Sequence, residues 1–89
     1  MTLQEYLNSY LTKEEQQKID YINVSNKNLT SLENDGNLIN LEQLWFSNNK
    51  LTTLKGIELI PNLEQISIYN NPLEDISDLK KLKNLEWIW

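Results

Sequence analysis

The chain has 89 residues, with thirteen acidic side chains against eight lysines and a formal charge of −5. A surface with this excess of negative charge repels phosphate backbones and anionic lipids, so direct binding to nucleic acid or to a membrane is disfavoured. The chain has neither Cys nor His. Disulfides, thiolate metal sites, the commonest metal ligand and the usual general base are therefore excluded, and we expect no cofactor and no enzyme activity.

Residues 1–18 are predicted to form two short helices, at about 3–10 and 13–18. One apolar stripe follows the first helix at helical spacing, through Leu3, Tyr6, Leu7, Tyr10 and Leu11. Each helix begins with a capping box, formed by Thr2 with Glu5 and by Thr12 with Glu15. We expect this segment to be a helical cap over the end of the core at Ile22 and Val24; a helix that binds a partner is the alternative.

From residue 19 onwards the sequence repeats with a period of 22 residues. The repeats are 19–40, 41–62, 63–84 and a partial fourth, 85–89. Apolar residues recur in the same columns; the fourth position, for example, holds Ile22, Leu44, Ile66 and Ile88. One such unit cannot bury enough apolar surface alone, so neighbouring units must stack.

The columns fit the pattern L-x-x-L-x-L-x-x-N-x-L, and residues 19–89 thereby resemble the leucine-rich repeat family, in particular its short internalin-like class. The resemblance implies an α/β solenoid, a right-handed superhelix with a parallel sheet on its concave side. The family's inward Asn is present as Asn49 and Asn71. The first repeat departs from the pattern, with Lys27 in that column and Asp35 where later repeats have an aliphatic residue.

Each repeat is predicted to begin with a short strand. The last of these strands, in residues 85–89, is followed by no evident C-terminal cap, and we expect Leu85 and Ile88 to face the core beside an unpaired edge. This edge predicts weak self-association, as a homodimer through 85–89.

Alternate strand residues face outward, which places aromatic side chains on the concave face. The outward residues proposed to bind a partner are Tyr21, Gln43, Gln65 and Trp87 at the third position, Trp45, Ser67 and Trp89 at the fifth, and Tyr69 at the seventh. At a strand spacing of about 4.8 Å, Trp45 and Trp89 are expected to flank Ser67 at about 10 Å. Exposed Trp and Tyr clusters are typical of interface hot spots. Alternatively, Trp87 and Trp89 fold over the open end of the core.

The second position of every repeat is acidic: Asp20, Glu42, Glu64 and Glu86. This row is either a solvated rim or a ridge that steers a basic partner toward the aromatic residues. A calcium site is disfavoured, because no loop gathers the six or more oxygens that the ion needs.

These features favour a non-catalytic protein-interaction module that binds a basic protein through its concave face. The first alternative is a small acidic inhibitor of a nucleic-acid enzyme or toxin, of the immunity-protein or phage anti-CRISPR type. The second is a terminal fragment of a longer repeat protein. The N-terminus lacks the pattern of a secretory signal, so we expect a cytoplasmic protein. The richness in Asn, Lys and Ile suggests a bacterial or phage origin.

Overall fold

The computed structural model describes all of residues 1–89. The chain forms two short helices and four short strands, with two 3₁₀ helices in the connections. The elements are α1 (Leu3–Asn8), α2 (Lys13–Lys18), β1 (Tyr21–Asn23), β2 (Gln43–Trp45), β3 (Gln65–Ser67) and β4 (Trp87–Ile88), with 3₁₀ helices at Ile57–Leu59 and Ser77–Lys81.

The four strands form one parallel sheet in the order β1-β2-β3-β4. In each pair of neighbouring strands the paired residues are 22 positions apart in sequence, as Ile22 and Leu44 are, and Leu44 and Ile66. The register of the sheet therefore equals the period of the sequence. The predicted parallel sheet is confirmed, and its strand order follows the chain.

The core lies behind one face of the sheet. The central residues of β1, β2 and β3 are buried, whereas the residues on either side of them are mostly exposed or half-buried. Apolar residues that recur in the segments between the strands complete the core, including Leu29, Leu51, Leu41 and Leu63. The strand residues with even numbers thus point inward and those with odd numbers point outward.

Both capping boxes form as predicted. The amide of Glu5 donates to the Thr2 hydroxyl, and the Glu5 carboxylate accepts from the Thr2 amide; Thr12 and Glu15 repeat this pair. The amide donated by Thr2 lowers the pKa of the Glu5 carboxyl from its usual value of 4.5. Helix α1 ends at Asn8 rather than near residue 10, because the Ser9 hydroxyl binds the Tyr6 carbonyl and competes with the helical bonds.

Helix α1 packs into the core and forms hydrogen bonds with the segment that follows β1. Leu3 and Leu7 are fully buried in the core that also contains Ile22 and Val24. The amide of Leu3 donates to the carbonyl of Ser31 at 2.9 Å. Buried side-chain amides join the two helices, because Gln4 donates to Gln16 at 3.0 Å and both donate to Asn8. The sequence did not predict this amide network.

Asn49 points inward, as predicted from the ninth column. Its Oδ1 accepts from the amides of Lys27 and Leu29, and its Nδ2 donates to the carbonyls of Val24 and Phe46 at 3.0 and 3.1 Å. Asn71 makes corresponding bonds with partners shifted by 22 residues: Leu51, Phe46 and Ile68. Both side chains satisfy main-chain groups that the strands do not reach.

The segment between β1 and β2 differs from the later connections, in line with the irregular Asp35. Asp35 is exposed and no 3₁₀ helix forms there. The buried Asn34 holds the turn instead, because its Nδ2 donates to the carbonyls of Leu32 and Gly56 and its Oδ1 accepts from Gly36. Asparagine thus replaces apolar packing at this point.

Candidate functional site

The outward face of the sheet carries four aromatic side chains, each of which contacts the next, and we call them the aromatic platform: Tyr21, Trp45, Trp89 and Trp87. The ring centroids of Tyr21 and Trp45 are 6.3 Å apart, and those of Trp45 and Trp89 are 5.3 Å apart. Trp87 lies 6.3 Å from Trp89, with the two ring planes only 16° apart. The rings therefore form one continuous surface across all four strands.

Sheet register explains why these residues meet. Tyr21, Gln43, Gln65 and Trp87 occupy one line across the sheet, since each pairs with the next in register. Trp45 pairs with Ser67. On the other side of Ser67, the amide of Trp89 donates to the carbonyl of Ile66, and the carbonyl of Trp89 accepts from the amide of Ile68. Trp45, Ser67 and Trp89 thus occupy the next outward line.

The position of Ser67 corrects the sequence prediction. Ser67 was expected to lie exposed between two tryptophans about 10 Å apart, but it is only 6% exposed. The backbones of Trp45 and Trp89 are two strand spacings apart, at about 10 Å. Their ring centroids are only 5.3 Å apart, so the rings approach each other above the small side chain of Ser67. Below them the Ser67 hydroxyl bonds to the buried Ser47 hydroxyl. Ser67 supports the platform and is not an accessible contact residue.

The two terminal tryptophans lie on the sheet face and not over the end of the core. Trp87 is 55% exposed and Trp89 is 49% exposed, while their rings contact each other and Trp45. Ile88, which points toward the core side, remains 54% exposed. A pair of rings folded over the open end would cover Ile88, and its exposure therefore favours a surface role for the two rings over the alternative role as a makeshift cap.

The other outward residues vary in accessibility. Gln43 and Gln65 are half-buried and pair with each other in register. Tyr69 is largely exposed, but its ring makes no aromatic contact with the platform. None of the outward residues of the strands is charged, so the face offers aromatic rings, amides and hydroxyls.

An acidic row borders this face: Asp20, Glu42, Glu64 and Glu86. The carbonyl of each of the first three accepts two amides from the next strand, for example those of Glu42 and Gln43 at Asp20. This ladder fixes the backbone of the row at strand spacing. Three of the carboxylate side chains are exposed and that of Glu64 is half-buried.

The carboxylates of the acidic row are free of ion pairs. The salt bridges of the protein belong to Lys81, which contacts Asp78 at 3.0 Å and Glu58 at 4.0 Å. The bond to Asp78 raises the pKa of Lys81. No group of three or more acidic side chains lies close enough together to hold a metal ion. The row is therefore a line of separate, unpaired charges.

Two features were missed by sequence reasoning. Asn26, Asn48 and Asn70 adopt left-handed backbone conformations, with φ of 62°, 58° and 58°. Their shared eighth position was visible as a column of asparagines, the non-glycine residue most tolerant of this conformation.

The second feature is a shallow groove of about 390 Å³ between α1 and the later connections, lined by Glu33, Lys55, Glu58 and neighbouring residues. The groove lies among connecting segments, which no repeat column could place.

The side chains of the platform can bind by stacking, by cation–π contact and through hydrogen bonds.

None of the helices has the length and apolar character needed to cross a lipid bilayer. No family model matches the chain, and no curated protein is similar to it. The geometry of the outward face is therefore the basis for a functional assignment.

Proposed function

We propose that this protein is a leucine-rich repeat solenoid whose outward sheet face is the concave face. The 22-residue register of the sheet supports this proposal, as do the inward amides of Asn49 and Asn71. In this arrangement the two helices of residues 1–18 cap one end of the stack, and the irregular segment around Asp35 adapts the first repeat to that cap.

We propose that the protein is a non-catalytic module that binds another protein through this face. The observation that carries the proposal is the aromatic platform, because three tryptophans and a tyrosine are held in contact while remaining accessible. Trp and Tyr are the side chains most enriched at the energetic centres of protein interfaces.

The partner that fits this face has a basic surface. The protein carries a formal charge of −5, and the carboxylates of the acidic row have no internal partner. Unpaired charges at the border of an uncharged apolar patch guide a complementary partner and fix its orientation, while the patch supplies most of the affinity. We therefore place the rim contacts at Glu42 and Glu64 and the central contact at Trp45.

Affinity capture with mass spectrometry tests this proposal. A partner captured by the wild-type protein should be lost with Trp45→Ala, a truncation that typically costs 2 kcal/mol or more at a hot spot, about thirtyfold in Kd. The double charge reversal Glu42→Lys/Glu64→Lys should weaken capture and reduce its salt dependence. Glu74→Lys, an exposed change away from the row, is the control. A complex that survives Trp45→Ala would refute the assignment of this face.

A second function, inhibition of a nucleic-acid enzyme or toxin, is favoured by the spacing of the acidic row. The backbones of its residues stand one strand apart, at about 4.8 Å, and so carry a line of negatively charged side chains along one border of the sheet. Such a line can occupy a basic channel that otherwise holds phosphates. An activity assay separates the two functions: an inhibitor should block a captured enzyme in competition with its nucleic-acid substrate, whereas an ordinary binding module should leave the activity of its partner unchanged.

A further inference from the structure

The two ends of the aromatic platform share an arrangement that its centre lacks. At one end Asp20 directly precedes Tyr21, and at the other Glu86 directly precedes Trp87. Between them the same line of the sheet holds the amides of Gln43 and Gln65. The backbone of each outer aromatic residue therefore adjoins two residues of the acidic row, its own neighbour and that of the adjoining strand, at the solvent-accessible start of the strands.

Resting on the proposed protein-binding function, we infer that the partner presents arginines rather than lysines, in an extended segment that crosses the strands. One arginine stacks on Tyr21 beside Asp20 and Glu42. A second stacks on Trp87 beside Glu64 and Glu86. The segment between them crosses Gln43 and Gln65 and runs beside the rings of Trp45 and Trp89.

The chemistry of the face selects a guanidinium over an ammonium. A guanidinium is planar, so it can lie flat on an aromatic ring while its edge donates to a carboxylate. It is also more weakly hydrated than an ammonium and loses less on leaving water for an apolar platform. A lysine ammonium is a compact point charge, which pairs with a carboxylate but does not stack. Consecutive Cα atoms are about 3.8 Å apart, and the acidic residues precede the strands with their side chains at least partly exposed, so we place the carboxylate within reach of an arginine side chain that stacks on the neighbouring ring.

The spacing of the two arginines follows from the sheet. Tyr21 and Trp87 lie on one line, three strand spacings apart, which corresponds to about 14 Å. An extended chain rises about 3.4 Å per residue and presents alternate side chains to the same side. Residues four positions apart therefore face the same way at about 14 Å, and the two arginines should be separated by four residues.

Intrinsic fluorescence provides a direct test, because all three tryptophans of the protein belong to the platform. The probes are three synthetic peptides of equal length and charge: one with two arginines four residues apart, one with lysines in their place, and one with arginines two residues apart. We expect the first to change the emission and to bind about tenfold more tightly than either of the others at the same ionic strength.

Two variants locate the contact. Tyr21→Ala keeps every tryptophan and removes an exposed ring, so it should weaken the arginine peptide several-fold without unfolding the protein. Glu64→Gln/Glu86→Gln should do the same, whereas Glu74→Gln and Asp75→Gln combined, with the same change in charge, should not. Equal binding of the arginine and lysine peptides, or no change in emission with any of them, would overturn the inference. Loss of the captured protein with Trp45→Ala would then still support the binding face, so the two proposals fail separately.

Discussion

Asn49 has the most demanding hydrogen-bonding position of any side chain in the protein. It is buried and serves five main-chain groups, including the amide of Leu29 and the carbonyl of Val24. We expect Asn49→Ala to lower the free energy of unfolding by about 3 kcal/mol, because these groups stay buried without partners. Asn71→Ala should cost about 1 kcal/mol, since Asn71 is only half-buried and water can replace it. Urea denaturation measures both, and equal costs would contradict this ranking.

Gly56 is required by the backbone and by the space around it. Its φ is +105°, and a Cβ added there would lie 2.8 Å from the carbonyl oxygen of Leu32. Gly36 has a φ of +79° but has nothing within 4 Å of an added Cβ. We expect Gly56→Ala to destabilise the fold by about 2–3 kcal/mol and Gly36→Ala by about 1 kcal/mol. Thermal unfolding of the two variants compares them directly; a larger loss for Gly36→Ala would show that crowding at Leu32 is not decisive.

At the scale of elements, α1 is an integral part of the core and not an appendage. Leu7 is fully buried in the same cluster as Val24 and Leu29. We therefore expect Leu7→Ala to cost about 2–5 kcal/mol, the range for a large-to-small change in a packed core. Tyr10→Ala, on the same segment but half exposed and packed only edge-on against Tyr6, should cost less than about 1.5 kcal/mol. An unchanged urea midpoint for Leu7→Ala would mean that the helix folds independently of the sheet.

The elements were predictable from sequence to different degrees, for physical reasons. Helix starts were correct because a capping box is a local chemical signal, present at Thr2 and Thr12. The end of α1 was placed too late, because the apolar stripe continues to Leu11 while the Ser9 hydroxyl already binds the preceding turn. Strand positions and register followed from the 22-residue period, since a repeated column can only pair with its own copy.

The site was predictable at the level of faces but not of side-chain positions. Strand parity alone placed Trp45, Trp87 and Trp89 on one side of the sheet, where the structure has them. Parity does not specify rotamers, and the small Ser67 left room for the rings of two neighbouring lines to close above it. Trp45 and Trp89, predicted to stand about 10 Å apart, are therefore in contact. Ser67, predicted to bind a partner, is instead buried.

At the scale of the whole molecule, apolar surface and unpaired backbone groups are concentrated at the free edge of β4. The amides of Trp87 and Trp89 donate inward to β3, so the amide and carbonyl of Ile88 face the free edge. Ile88 in this strand and Ile76 in the connection that leads to it are both more than half exposed. Residues 73–89 carry four acidic side chains and three lysines, a net charge of −1, so this end repels a second copy far less than the rest of the chain does.

We therefore expect weak self-association through β4, with a Kd on the order of 0.1–1 mM, because few hydrogen bonds and two apolar side chains per copy must offset the entropy of association. Sedimentation equilibrium over a wide concentration range measures it. Ile88→Lys should abolish the association by placing a charge on the edge, while Ile39→Lys, an exposed change in the connection between β1 and β2, should leave it unchanged. Strictly monomeric behaviour of the wild-type protein at millimolar concentration would show that the short edge is already too small to pair.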